Sequence, residues 1–175
     1  FNAINKESQN AIIYALTCMP NGVLDMSAEI PGLVETSLNL GILATSENKT
    51  ELKTSLRSNK MSALSALEDR LKTFFSVLPC EYTTFDKYPS WEFNSNSTLQ
   101  GLFKEIYEKE TGENLKVEAI HAGLECGLLK SRIPDLDIIA LGANLENIHS
   151  PMEKMELASC EKLWKIVSEL LRQPI

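Results

Sequence analysis

The chain has 175 residues, a formal net charge of −7 at pH 7, and 43% hydrophobic against 23% charged residues. This length is enough for one domain or two small ones, and the composition is that of a soluble globular protein. The negative charge argues against a nucleic-acid surface, and no apolar run approaches the roughly 20 residues of a membrane-spanning helix.

The first half predicts helix, strand, strand and helix in that order. Helical spacing of apolar residues predicts a helix over 6–18, ended by the Pro-Asn-Gly turn. Alternating residues predict strands over 32–46 and 51–60, which would pair as an antiparallel hairpin. Residues 61–78 place leucines on one face of an amphipathic helix. This order indicates an α+β layer, and the polar stretch that follows suggests a domain boundary near residue 85.

The second half alternates between predicted helices and strands. Helices are predicted over 97–112, 123–134 and 150–173, and strands over 114–123 and 136–142. Such an order indicates a parallel α/β sheet, in which sites lie at the carboxyl ends of strands. Six residues of the last helix are predicted to face inward: Leu157, Leu163, Ile166, Val167, Leu170 and Leu171.

Cysteine usage and the first residue give two further expectations. The four cysteines are scattered and none forms a C-x-x-C pair, which predicts reduced thiols in a cytosolic protein. A nucleophile at Cys126, paired with His121 or His149, stays open as an alternative. The chain begins at Phe1 rather than Met and has no signal segment, so we expect a piece of a longer protein.

His149 lies between a predicted strand and the last helix, where Ser150 would be the N-cap and Pro151 the first helical residue. Such a turn would fix an imidazole in space, although a solvated loop histidine is equally compatible with the pattern. A zinc site needs three or four protein ligands. The other candidate donors are His121 and carboxylates at no diagnostic spacing, so spacing alone predicts no complete metal site.

Two other segments carry candidate binding groups. In "HAGLECG", the glycines at 123 and 127 permit close backbone approach to a ligand, and Glu125 is a possible acceptor that orients an imidazole. A tight turn with a buried polar contact explains the same pattern. Arg57 offers a guanidinium fork for a carboxylate, with an ordinary surface arginine as the alternative.

Several motifs together resemble one family. They occur in the order and spacing seen in the C-terminal part of cytosolic Xaa-His dipeptidases, and they run through almost the whole chain: "PNGV", "GLVETSLNLG", "LRSN", "YPSW", "IHAGLECGLLK" and "HSPMEKMELAS". These enzymes, also called aminoacyl-histidine dipeptidases, cytosol non-specific dipeptidases or bacterial carnosinases, are zinc-dependent peptidases related to carboxypeptidase G and aminoacylase.

The resemblance implies an α/β fold. Residues 1–85 would be the end of an inserted lid domain of the dimerisation type, with α+β structure. Residues 86–175 would be the C-terminal part of a catalytic zinc-peptidase α/β sandwich. The intact protein would be a cytoplasmic homodimer that hydrolyses dipeptides, especially Xaa-His, with two zinc ions in each active site, and it would bind neither nucleic acid nor membrane.

The resemblance also assigns roles to residues. His149 would be a zinc ligand, Arg57 and the backbone N–H of Gly123 would bind the substrate's C-terminal carboxylate, and His121 and Glu125 would lie near the site. The general base and the other zinc ligands would lie in an N-terminal half that this chain lacks, so we expect the chain alone to be inactive. The alternative is a non-catalytic peptide-binding or dimerisation module derived from that family.

Overall fold

The computed structural model of the chain describes residues 3–119, 121 and 125–173. These residues form a mixed α/β structure, which confirms the predicted fold class. No helix in the described ranges is long and apolar enough to cross a membrane.

The chain folds as two compact units. The first lies within Phe1–Phe93 and Ala119–Ser131, and the second within Asn94–Glu118 and Arg132–Ile175. His121 therefore belongs to the first unit. The rest of that unit before Ala119 ends at Phe93, more than 25 residues earlier in the sequence. The assignment of the two parts of the chain to a lid and a catalytic domain stays a prediction.

The first unit contains a three-stranded antiparallel sheet. Its strands are β1 (Gly22–Met26), β2 (Val34–Thr45) and β3 (Thr50–Ser58), and their spatial order is β1-β2-β3. The hairpin of β2 and β3 confirms the sequence prediction. Sequence analysis missed β1 because it is only five residues long and directly follows the Pro-Asn-Gly turn signal.

Helix packing covers one face of this sheet, chiefly through the second helix of the unit. The helices of the first half are α1 (Lys6–Cys18) and α2 (Met61–Phe75), both as predicted, although α2 ends three residues earlier than expected. Buried Leu67 and Leu71 of α2 pack with Leu38 of β2 and Met19, and these four residues form the core of the unit. Burial of their apolar side chains against the sheet is the main stabilising term for this layer.

The second unit is built on two packed helices, α3 (Thr98–Thr111) and α5 (Leu157–Leu170). Its core contains Phe103 and Ile106 of α3 with Ile166 and Leu170 of α5. The sequence placed both ends of α3 correctly. Ser97 caps its first turn by accepting from the Gln100 N–H at 3.0 Å, and Gly112 follows its end in the left-handed region at φ 69°.

Both strands predicted in the second half are absent from the described residues. Residues 114–119 and 136–142 are irregular, and no parallel ladder forms in the part of the chain that the structure describes; residues 120 and 122–123 of the first predicted strand lie outside it. A strand needs a neighbour that pairs with its N–H and C=O groups, and neither segment has one within the described ranges. Both segments have the apolar residues that a strand needs, but an extended segment becomes a strand only when its backbone pairs with a neighbouring strand.

Asp137, in the second of these segments, has a local structural role. Its carboxylate accepts from the Leu99 N–H at 2.8 Å, at the first turn of α3. This bond and a further one from the Ser97 hydroxyl lower the pKa of Asp137. The carboxylate of Asp137 thus acts as a second cap for the first turn of α3.

The last helix is shorter than predicted. It begins at Leu157, after a two-stranded ribbon of β4 (Leu145–Glu146) and β5 (Lys154–Met155). The prediction that residues of this helix face inward is confirmed for four of them, which are buried or half-buried: Leu163, Ile166, Val167 and Leu170. The prediction is wrong for Leu157 and Leu171, whose exposed fractions are 71% and 75%. The helix that completes the described fold, α4 (Glu125–Arg132), agrees with the predicted short helix.

Candidate functional site

The face of the sheet opposite the core carries polar side chains. Leu38 of β2 pairs with Leu56 of β3, and both pack in the core, so their neighbours Ser37 and Arg57 point to the other face because side chains alternate along a strand. Ser37 and Arg57 are themselves register partners across the hairpin. The structure thus sets a hydroxyl directly beside a guanidinium on one surface.

Arg57 is exposed on this face. Within the described ranges it has no carboxylate partner, whereas Lys60, three residues later, is paired with Glu35 at 2.9 Å. A guanidinium offers two parallel N–H donors that match a carboxylate. The cation at position 57 is therefore available for an anionic ligand.

His121 belongs to the same surface. Its Nε2 lies 2.6 Å from the Ser37 hydroxyl oxygen, in a half-buried hydrogen bond, while its Nδ1 is buried without a partner that meets hydrogen-bond geometry. Burial lowers the pKa of His121, the positive charge of Arg57 lowers it further, and the Val34 carbonyl acts in the opposite direction. The ring is thus a neutral imidazole at neutral pH, and Arg57 remains the positive charge of this trio.

The residues after Arg57 fix the end of the hairpin. Asn59 donates from its backbone N–H to the Glu35 backbone carbonyl at 2.9 Å and from its side-chain amide to the Val34 carbonyl at 3.1 Å. The Ser90 hydroxyl donates to the Ser58 carbonyl at 2.6 Å. These bonds immobilise the backbone on which Arg57 stands.

The start of α4 follows His121 closely in sequence. Glu125 is exposed, and its negative charge is one of the causes, after burial, that raise the pKa of Tyr88. The hydrogen bond that orients the His121 ring comes from Ser37, and a role for Glu125 near the site stays a prediction. Gly127 is buried, and a Cβ at this position would lie 2.5 Å from the Pro89 carbonyl oxygen. The close backbone approach that glycine permits at position 127 is therefore to the Pro89 backbone and not to a ligand.

Cys126 does not have the environment of a nucleophile. Burial raises the pKa of its thiol, and the negative charge of Glu125 adds to that effect. An attacking cysteine needs a thiolate and a base beside it. The first turn of α4 favours a thiolate at Cys126, but in the described ranges the His121 ring bonds to Ser37 and not to Cys126. The alternative of a cysteine hydrolase therefore loses support.

His149 lies in a tight turn of the second unit. It is exposed, its backbone is in the left-handed region at φ 64°, and its N–H donates to the Glu153 carboxylate at 2.9 Å. Non-glycine residues seldom adopt this conformation, although histidine does so more readily than most. The Glu153 carboxylate and the neighbouring turn bonds hold the residue in place.

The predicted N-cap role of Ser150 is wrong. Its hydroxyl donates to the Asn147 carbonyl at 2.7 Å and accepts from the Met152 N–H at 3.1 Å, so it closes a turn rather than a helix. The N-cap of α5 is Glu156. Ser-Pro is a helix-start signal and also a turn signal, and here the turn is stabilised because the residues after it pair in the β4–β5 ribbon.

Comparison with known proteins places this geometry in a family. The family model for peptidase family M20/M25/M40 matches residues 5–173. The chain belongs to that family. Among curated proteins, the cytosol non-specific dipeptidase of Escherichia coli K12 is 31% identical over 171 residues, which are 98% of this chain and 35% of the relative.

A solved structure of the family agrees with the fold. The crystal structure of aminoacylhistidine dipeptidase from Vibrio alginolyticus matches with a TM-score of 0.85 and 34% identity, over 99% of this chain and 36% of that one. The family resemblance drawn from the motifs is thus confirmed. The chain spans about a third of the length of the relatives that it matches.

The described residues of this family member do not form a complete metal centre. No three His, Cys, Asp or Glu side chains in the described ranges lie together in a way that could hold a metal ion. A zinc site takes three or four protein donors. His149 alone supplies one imidazole, so the residues present do not fit a zinc ion without donors from elsewhere.

The predicted site residues lie in different parts of the fold. Arg57 and His121 both neighbour Ser37 on the polar face of the sheet, and Glu125 begins α4. His149 stands in a turn of the second unit, and Gly123 lies outside the described residues. Sequence reasoning missed Ser37. The available signal was its polar side chain between buried Thr36 and Leu38 in the predicted strand.

A groove at the end of α3 and the start of α5 is a weaker candidate. Its cavity volume is about 310 Å³, and its lining is Glu110, Thr111, Ala158, Glu161, Lys162, Lys165 and Ile166. Lys162 is already paired with Glu113 at 2.8 Å and stands over the Tyr107 ring. The groove contains none of the residues to which the family resemblance assigns a role, so Arg57 stays the stronger candidate.

Proposed function

We propose that this chain is the C-terminal part of a zinc-dependent peptidase that hydrolyses dipeptides, Xaa-His among them. The observation that carries the proposal is the exposed guanidinium of Arg57, without a carboxylate partner in the described ranges, beside His121 in a member of a peptidase family. The names of both relatives, a cytosol non-specific dipeptidase and an aminoacylhistidine dipeptidase, support the same substrate class.

Arg57 would bind the free C-terminal carboxylate of the substrate. A bidentate pair fixes both the position and the orientation of the carboxylate, which limits substrates to peptides whose chain end reaches the reacting bond. The neutral His121 ring adds no second positive charge, so the surface suits a single carboxylate. The N–H of Gly123 is proposed as a second donor to the same group, and Glu125 as a residue near it.

His149 would contribute one zinc donor. The remaining donors and the general base would come from residues of the intact protein that precede this chain, and the chain by itself would be inactive. By analogy with the relative's name, we place the intact protein in the cytoplasm, and we propose that it is a homodimer.

Metal content tests the His149 assignment without reliance on activity. His149→Gly removes the imidazole and suits the left-handed backbone, so the fold should be retained while bound zinc in the intact protein falls from two ions to about one. Asn147→Gly is the matched control, because Asn147 has φ 53° in the same turn.

Two outcomes decide between the proposal and its rival. Loss of zinc and of Xaa-His hydrolysis in His149→Gly, with both retained in Asn147→Gly, would support the peptidase. An intact protein that binds dipeptides, holds no zinc and hydrolyses nothing would favour the non-catalytic peptide-binding module. Full zinc retention in His149→Gly would refute the ligand role.

A further inference from the structure

One hydrogen bond ties two distant parts of the first unit together. Ser37 stands in β2 and His121 follows it by 84 residues, yet their Oγ and Nε2 atoms lie 2.6 Å apart. The bond is half-buried, so water competes with it less than it would on an open surface. Within the described ranges this is the side-chain hydrogen bond of the His121 ring, since Nδ1 has no partner of good geometry.

The same serine is the cross-strand neighbour of Arg57. Paired residues in an antiparallel ladder have their side chains about 5 Å apart on one face. The imidazole held by Ser37 lies close enough to Arg57 to feel its charge. The Ser37 hydroxyl thus contacts His121 and also lies next to Arg57, the cation proposed to bind the ligand.

We propose that Ser37 is a positioning residue, whose bond fixes His121 beside the hairpin and restrains α4, which begins four residues later, so that Arg57 and His121 present one fixed surface to the substrate carboxylate. This inference rests on the proposed function. Neither the motifs nor the family resemblance assigned a role to Ser37.

Removal of the hydroxyl has a definite physical consequence. In Ser37→Ala both ring nitrogens of His121 lack a partner, which is unfavourable for a ring that is shielded from water. The ring is then expected to turn or move outward, and the segment that carries it follows. Ser37→Thr keeps the hydroxyl in a residue type that strands favour, so it should retain the bond.

Ser55 supplies a matched control. It lies on the same face of β3, two residues from Arg57, pairs with Asn39 and is exposed. Its side chain makes no hydrogen bond within the described ranges. Ser55→Ala therefore removes a hydroxyl from this surface without removing a bond.

Hydrogen exchange tests the positioning step. In the intact protein, Ser37→Ala should raise amide exchange within Glu125–Arg132 by about tenfold, whereas Ser37→Thr and Ser55→Ala should not. Unchanged exchange in Ser37→Ala would overturn the inference, whatever the activity of the enzyme.

A double-mutant cycle tests the link to Arg57. Ser37→Ala should raise KM for a dipeptide by about tenfold with little change in kcat, and should add almost nothing when Arg57 is already alanine. Fully additive effects would mean that Ser37 supports the fold only. If Arg57→Ala itself leaves KM unchanged, the proposed carboxylate site fails; if Arg57→Ala raises KM and Ser37→Ala does not, only the positioning role fails.

Discussion

Arg57→Ala is expected to lower kcat/KM of the intact protein for dipeptides by the equivalent of roughly 2 to 4 kcal/mol, mainly through KM. Within the described residues the guanidinium has no carboxylate partner, so its loss removes a ligand contact without breaking an ion pair of the fold. The stability of the protein should therefore change little. Steady-state kinetics with a dipeptide, together with a thermal melt, measure both effects.

Lys53→Ala provides the control for charge alone. Lys53 lies on the same strand and face, four residues from Arg57, which is about 13 Å along a strand and beyond the screening length of about 8 Å. Its alanine variant should leave KM unchanged, and Arg57→Lys should recover only part of the loss because an ammonium lacks the fork. Equal effects of Lys53→Ala and Arg57→Ala would show that general attraction, and not a specific contact, governs binding.

Gly127→Ala is expected to destabilise the first unit by about 1 to 3 kcal/mol. The added Cβ would lie 2.5 Å from the Pro89 carbonyl oxygen and 3.5 Å from the carbonyl carbons of Pro89 and Ser90. All three atoms belong to the backbone, so no flexible side chain can give way. Urea unfolding of the chain measures the change in the free energy of unfolding.

Gly101→Ala should have the opposite sign. Gly101 lies inside α3, and a Cβ there would meet no heavy atom within 4 Å. Alanine is the better helix former, so the variant should gain about 0.5 to 1 kcal/mol. If both variants gained stability, the contact between α4 and the Pro89 backbone would not exist in solution.

Sequence patterns were enough to predict those elements whose structure depends on residues within the element itself. The amphipathic leucines of α2 and the capping residues Ser97 and Gly112 of α3 are local signals, and these two helices were predicted with small errors. The hairpin of β2 and β3 also follows from alternation and a polar turn between its strands. The resemblance contributed the family and the proposed role of Arg57, which no local pattern contains.

Features that depend on distant partners were not predictable in this way. The ladder shifts by one residue between Leu40 and Ile42, so that Arg57 rather than Ser58 stands opposite Ser37. A register counted from the turn alone would have missed that pair, because a bulge changes which side chains face each other. The contact of Ser37 with His121 depends on tertiary packing over 84 residues.

The most direct test of a carboxylate site at Arg57 compares a dipeptide with its C-terminal amide as substrates of the intact protein. The amide keeps the shape of the peptide but cannot form the bidentate ion pair. We expect kcat/KM for the free acid to exceed that for the amide by roughly 30- to 1000-fold, the equivalent of about 2 to 4 kcal/mol. Equal values for the two substrates would contradict recognition of the carboxylate, and with it the function assigned to this surface.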